Sequence, residues 1–190
     1  GKNAVPELVR QIHTQILENF CISGTVLLRY WGNEARVTVP DGITIIGERA
    51  FAGNEAVGKL ILPESVVEIQ REAFADCLVL QTLNFPKGLK KMGASALEGC
   101  VKLLRAELPA GLTCLAPSVF SRCRKLGQVV WEEGSSLREI GQQAFYGCYG
   151  LKEIVFPETL EKIGTLAFYQ CHSLRSVVLP KSVWNVEAEA

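Results

Sequence analysis

A chain of 190 residues is long enough for one substantial core or for a continuous stack of small units. Its 20 lysines and arginines balance 20 aspartates and glutamates, so no net charge steers it toward nucleic acid or an anionic membrane. No run of about 18 apolar residues is present, which excludes a transmembrane helix.

The opening GKNAVPELVR lacks the apolar stretch of a signal peptide, which leaves location open. Within 5–20, VPELVRQIHTQILENF, residues Val5, Leu8, Val9, Ile12, Ile16, Leu17 and Phe20 recur at helical spacing with Pro6 near the start, predicting a one-sided helix. His13 lies between those positions without an evident partner and reads as a surface or structural histidine, not a catalytic one. The following ISGTVLLRYWGNEARVTVP reads as a hairpin turning near Gly32-Asn33. Helix and hairpin together, residues 1–36, form the expected N-terminal cap, with Tyr30 and Trp31 covering the first coil.

From Val37 onward the chain is periodic. Cys77, Cys100, Cys123, Cys148 and Cys171 are separated by 23, 23, 25 and 23 residues, and the rest of the sequence keeps that step. Six full units (37–59, 60–82, 83–105, 106–128, 129–153 and 154–176) and a partial one (177–190) account for everything after residue 36. Each opens with a strand of about three residues, such as Leu83, Asn84 and Phe85, alternating in, out, in. Pro40, Pro63, Pro86, Pro109, Pro157 and Pro180 then end the strand, because proline has no amide hydrogen for a ladder.

A second apolar pair follows, as Leu89 and Met92 or Leu160 and Ile163. Next come Ala50-Phe51, Ala73-Phe74, Ala144-Phe145 and Ala167-Phe168, where a small residue beside a ring lets neighbouring coils share one core. Ala96-Leu97 and Val119-Phe120 are looser versions. The cysteine three residues later lacks charged partners and reads as a small core residue in a buried ladder, not as a reactive thiol. Cys21 and Cys114 lie off that ladder. The fifth unit replaces proline with Glu132 and carries a two-residue insertion in WEEGSSL, expected to bulge outward and to interrupt no core position.

GNEAVGKL, Gly53 to Leu60, comes close to a phosphate-binding loop. Leu60 stands where a magnesium-binding Ser or Thr belongs, and the repeat places this stretch ahead of a strand, whereas a phosphate loop opens a helix. The match is coincidental. The cysteines show no C-x-x-C pair, with only His13 and His172 as other soft ligands, so no metal site is expected. No G-x-S-x-G elbow, no H-E-x-x-H helix and no carboxylate pair outside the repeat pattern is present, so neither a catalytic site nor a cofactor is expected.

The pattern L-x-x-L-x-[LF]-P-x-x-[LV]-x-x-[IM]-G-x-x-A-F-x-x-C, as in Leu151 to Cys171 and Leu80 to Cys100, resembles the BspA-like leucine-rich repeat over residues 37–190. The asparagine that follows the strand in ordinary leucine-rich repeats is replaced by Gly42, Ser65, Gly88 or Gly111, a departure typical of that family. The resemblance implies a right-handed leucine-rich-repeat solenoid with short parallel strands. It also implies a protein-binding module on a bacterial surface or secreted, linked to adhesion to host matrix proteins or other cells. The alternative is an intracellular scaffold or assembly domain, consistent with several free thiols.

Two surfaces are candidates for the partner. The outward strand positions run Thr38, Ile61, Asn84, Glu107, Val130, Val155 and Val178, turning apolar toward the C-terminus. After the Ala-Phe pair, Tyr146 and Tyr169 occupy equivalent places in adjacent coils, as do Tyr149 and His172, predicting a paired aromatic patch; Trp184 also falls outward. The apolar run from Val177 to Trp184 is a further candidate, for a homodimer.

Overall fold

The computed structural model describes residues 19–190. The helix expected over 5–20 lies outside the described residues except for Asn19 and Phe20, and Phe20 begins a strand. Strands β1 (Phe20–Ser23) and β2 (Val26–Tyr30) form an antiparallel hairpin. It turns at Gly24-Thr25 and not at Gly32-Asn33. Gly24 adopts φ +60°, the left-handed conformation a two-residue turn requires. Gly32 serves another purpose: a Cβ there would lie 2.3 Å from the Tyr30 hydroxyl oxygen, so its glycine permits close approach.

Each following coil carries two short strands. The first row comprises β3 (Arg36–Thr38), β5 (Lys59–Ile61), β7 (Thr82–Leu83), β9 (Arg105–Leu108) and β11 (Gln128–Trp131). The second comprises β4 (Ile45–Ile46), β6 (Glu68–Ile69), β8 (Lys91–Met92), β10 (Cys114–Leu115), β12 (Glu139–Ile140), β13 (Lys162–Ile163) and β14 (Asn185–Val186). Pairing within each row is parallel between successive coils, as Leu60 with Leu83 and Ile140 with Ile163. Strand β2 heads the second row, pairing in parallel with β4. The second apolar pair of every repeat therefore belongs to a sheet of its own, which hydrophobic spacing over two residues does not reveal.

Both rows pause between the third and fourth coils, where β7 and β9, and β8 and β10, are not paired. The stack is held there by a third row, the Ala-Phe turns. Phe74 donates its N–H to the Ala96 carbonyl (2.8 Å), Leu97 to Val119 (2.9 Å) and Phe120 to Ala144 (2.9 Å), so this backbone ladder crosses the pause unbroken. Its tight turns need left-handed residues. The residue before each Ala-Phe pair has positive φ (Arg49, Glu72, Ser95, Ser118, Gln143 and Leu166), as does the residue before each ladder cysteine (Asp76, Gly99, Arg122, Gly147 and Gln170) and before Asn54 (Gly53).

One continuous apolar core runs through the coils. Phe51, Phe74, Phe120 and Phe145 are fully buried, and ring centroids lie 5.0 Å apart for Tyr30–Phe51, 5.4 Å for Phe51–Phe74, 5.5 Å for Phe120–Phe145 and 5.2 Å for Phe145–Phe168. Leu97 fills the place between Phe74 and Phe120. Tyr30 thus covers the first coil by extending the aromatic stack, with its hydroxyl donating to Glu34, whereas Trp31 is 56% exposed and takes no part in the aromatic stack among the described residues.

The proline positions have a cost on the neighbouring coil. Glu132, which replaces proline in the fifth unit, donates its N–H to the Leu108 carbonyl (2.9 Å), a bond that proline cannot make. Where Pro86 stands, Asn84 supplies the missing donor: its Nδ2 bonds the Leu62 carbonyl (2.9 Å) and its Oδ1 accepts from the Leu62 N–H (2.7 Å).

The first row stops at β11. Residues 154–156 and 177–179 form no strand, in contrast to the three-residue strand expected of every unit. The insertion also disturbs a core position. Val39, Leu62, Phe85, Leu108 and Phe156 are buried at equivalent places, but Trp131 is only partly buried, and its indole Nε1 donates to the Val155 carbonyl at 2.7 Å. In the first coil the matching bond comes from the backbone, Val39 N–H to the Ile61 carbonyl (2.9 Å). The indole therefore spans a gap that a backbone amide bridges elsewhere.

Candidate partner-binding surface

Tyr146 and Tyr169 follow Phe145 and Phe168 at the turn, so the buried ring below sets the direction of each exposed one. Their ring centroids are 5.7 Å apart at an interplanar angle of 17°. Three residues further along, Tyr149 and His172 stack at 5.4 Å and 19°. Offset stacks at this spacing are favourable beyond the area they bury. The equivalent places in earlier coils hold Ala52, Ala75, Glu98 and Ser121, or Glu55, Leu78, Val101 and Arg124, so the aromatic patch is confined to the fifth and sixth coils.

Two cation–ring contacts add to these stacks, one on the patch and one at Trp184 in the second row, that spacing alone did not single out. The Arg124 guanidinium lies over the Tyr149 ring, 5.8 Å from its centroid, and Lys162 Nζ lies 5.1 Å from the Trp184 centroid. Arg124 occupies the Tyr149 position one coil back, so its place in the repeat register was the signal that could have found it. Trp184, beside β14, is 68% exposed. Tyr149 and Tyr169 are exposed and Tyr146 is half-buried.

On the first row Val155 and Val178 are 78% and 81% exposed, whereas Val130, within β11, is half-buried.

The thiols are chemically quiet. Cys77, Cys100, Cys123, Cys148 and Cys171 each donate an S–H to a backbone carbonyl of the preceding coil at 3.1–3.2 Å: Phe51, Phe74, Leu97, Phe120 and Phe145 in turn. Burial pushes the Cys123 and Cys148 thiols well up, and raises Cys171 to about 11. Cys100 is raised first by its hydrogen bond with Cys77 and then by burial. Nucleophilic and metal-binding thiols are ionised, and Cys100, Cys123, Cys148 and Cys171 are shifted the other way. Among the described residues no group of three or more His, Cys, Asp or Glu is placed to hold a metal ion.

Asn54, in the cysteine position of the first coil, substitutes its amide for the thiol: Nδ2 donates to the Gly32 carbonyl (3.0 Å), and Oδ1 accepts from the Ala56 and Val57 N–H groups (3.0 and 2.9 Å). The stretch GNEAVGKL is therefore a cap-to-coil joint leading into β5, with no helix to face a phosphate.

Stacked coils with short parallel strands, leucines inward and a shared aromatic spine define a leucine-rich-repeat solenoid. The family described as BspA type leucine rich repeat region matches in six copies over residues 30–136 and 131–190, and the chain belongs to it. Comparison with curated proteins finds no match. Among solved structures, a leucine-rich repeat protein from Eubacterium ventriosum superposes with a TM-score of 0.79 at 22% identity; the alignment covers 87% of this chain and 45% of that one. The leucine-rich repeat protein of T. pallidum gives 0.63 at 25% identity, covering 83% of this chain and 89% of that one. A leucine rich cell surface protein from Faecalibacterium prausnitzii gives 0.61 at 25% identity, covering 90% and 52%. The chain spans less than half the length of the Eubacterium protein.

Proposed function

We propose that this chain is a non-enzymatic protein-binding module whose partner docks on the aromatic patch of Tyr146, Tyr149, Tyr169 and His172, with the exposed Trp184 of the seventh unit as a further contact. The observation that carries the reading is the double stack on adjacent coils, Tyr146 on Tyr169 and Tyr149 on His172, with Arg124 over Tyr149. Rigid, exposed tyrosine and tryptophan lose little side-chain freedom on contact and dominate protein interfaces together with arginine. The described residues contain no helix long and apolar enough to cross a membrane, and the balanced charge offers nothing to a polyanion.

Display on a bacterial surface, with a host matrix protein as partner, is the setting this reading favours, supported by the description of the Faecalibacterium relative as a cell surface protein. The test is a binding assay against immobilised matrix proteins and whole-cell lysate with the chain and its Tyr146→Ala, Tyr169→Ala double variant. Partner retention by the parent and loss by the variant, at equal thermal stability, supports the patch. Equal retention by both removes it. Capture only of cytoplasmic proteins favours an intracellular scaffold instead.

A further inference from the structure

The ladder that fails after β11 leaves a cleft of about 540 Å³ between that strand and residues 153–159. It is not a packing flaw left open by small side chains. The second row continues past it, β12 to β13, and so does the turn row, where Phe145 bonds Ala167 at 2.8 Å, so the coils stay in register while one side is parted. Trp131 holds it apart, its indole reaching the Val155 carbonyl where a backbone amide belongs. No backbone hydrogen bond joins β11 to 153–156, so a strand edge is exposed inside the solenoid and away from the chain termini.

The walls say what fits. Val130, Val155 and Phe156 give an apolar floor, and the charged residues around it are Glu132, Glu133, Glu153 and Glu158, with no lysine or arginine among the lining side chains. Glu132 is engaged, accepting from the Ala110 N–H at 3.1 Å and lying 4.0 Å from Lys87. Glu133, Glu153 and Glu158 form no ion pair among the described residues. An extended chain placed here completes the interrupted ladder, sets alternate side chains toward the valines and meets three free carboxylates.

We propose that the cleft between β11 and residues 153–159 takes an extended basic segment of a partner protein, added as a parallel or antiparallel strand to β11. This rests on the reading of the chain as a protein-binding module but uses a different row of the coils from the aromatic patch. The two can therefore fail separately.

The test uses the isotopically labelled 190-residue chain and three peptides: acetyl-KVKVKVK-amide, acetyl-EVEVEVE-amide, and the lysine peptide with alternate backbone nitrogens methylated. The expected result is amide perturbation at 128–131 and 153–158 by the lysine peptide, with binding at least tenfold weaker for the other two. Glu153→Gln with Glu158→Gln, both exposed, should weaken the lysine peptide about fivefold, the size two exposed ion pairs contribute together, at unchanged melting temperature. Tyr146→Ala with Tyr169→Ala should leave it unchanged.

Equal binding of acidic and basic peptides, undiminished binding of the methylated one, perturbation elsewhere, or no binding at millimolar peptide would each overturn the proposal. So would exchange protection of the Val155 amide equal to that of Val130, whose N–H faces β9, in the free protein, which means the ladder closes on itself. Concentration-dependent shifts of the same amides without peptide would assign the cleft to a second copy of the chain and overturn it too.

Discussion

The Cys148 thiol donates to the Phe120 carbonyl, 3.1 Å away in the preceding coil, and the same bond recurs at every ladder cysteine. The cysteine is kept because it is small, apolar and still satisfies a buried carbonyl. Cys148→Ala should cost about 1–3 kcal/mol, since the carbonyl loses its donor in a site closed to water. In native protein a thiol reagent should titrate Cys21 and Cys114, the two exposed thiols, and reach the other five only after unfolding. Rapid native reaction of Cys148 would show that the ladder opens.

Those thiols also set an alkaline limit. The folded values of Cys100, Cys123, Cys148 and Cys171 are raised above the ordinary 9.0, so below about pH 9 both folded and unfolded states hold the proton and the full stability is present. Above that, the unfolded thiols ionise first, and each contributes a loss of about 1.4 kcal/mol per pH unit until its folded value, about 11 for Cys171, is passed. Urea unfolding between pH 8 and 10.5 should show stability falling, with a shallower fall in Cys148→Ala. Equal slopes would locate the titration elsewhere.

Phe145→Ala should cost roughly 3–5 kcal/mol, because the ring is fully buried between Phe120 and Phe168 and its removal leaves a cavity that the stacked coils cannot collapse into. Tyr146→Ala, one residue on, should cost under about 1 kcal/mol. Denaturant midpoints of the two variants measure the contrast.

The period was legible because every coil repeats the same burial demand: Leu60, Leu83 and Ala106 sit 23 apart, and so do the rings of Phe51 and Phe74. The aromatic stacks followed from that register alone, since residues one period apart must be neighbours. What escaped depended on conformation with little residue signature. The left-handed position before each cysteine is glycine in Gly53, Gly99 and Gly147 but Asp76, Arg122 and Gln170 elsewhere, so composition did not expose it. The hairpin turn was misplaced for a related reason, because Gly24 and Gly32 are both glycines beside polar residues and only packing under Tyr30 tells them apart. The parting of the first row after β11 coincides with the Trp131 indole reaching the Val155 carbonyl, a contact without a signature in the repeat pattern.

Backbone conformation at that left-handed position gives a paired test. Gly53 has φ +71° and nothing within 4 Å of an added Cβ, so Gly53→Ala should destabilise by about 1 kcal/mol through strain alone. Gln170, with φ +61°, should gain about 0.5–1 kcal/mol on replacement by glycine, because relief of strain exceeds the added freedom of the unfolded chain. Thermal melts of both variants should move in opposite directions. Movement in the same direction would mean that side-chain contacts, not φ, govern the site.

Trp131 stands where Leu108 and Phe156 are buried, yet its indole leaves the core to reach the Val155 carbonyl. Leucine cannot make that bond, and its smaller side chain fits the vacated core position as Leu108 does one coil back. Trp131→Leu should therefore let β11 approach residues 154–156, restoring the amide-to-carbonyl bond seen between Val39 and Ile61. Hydrogen exchange at the residue-131 amide, which then donates to the Val155 carbonyl as Val39 does to Ile61, should slow by at least tenfold, and lysine-peptide binding should fall with it. If exchange is unchanged, the two-residue insertion after Trp131, and not the indole, keeps the coils apart; shortening Glu132–Ser136 by two residues would then close them.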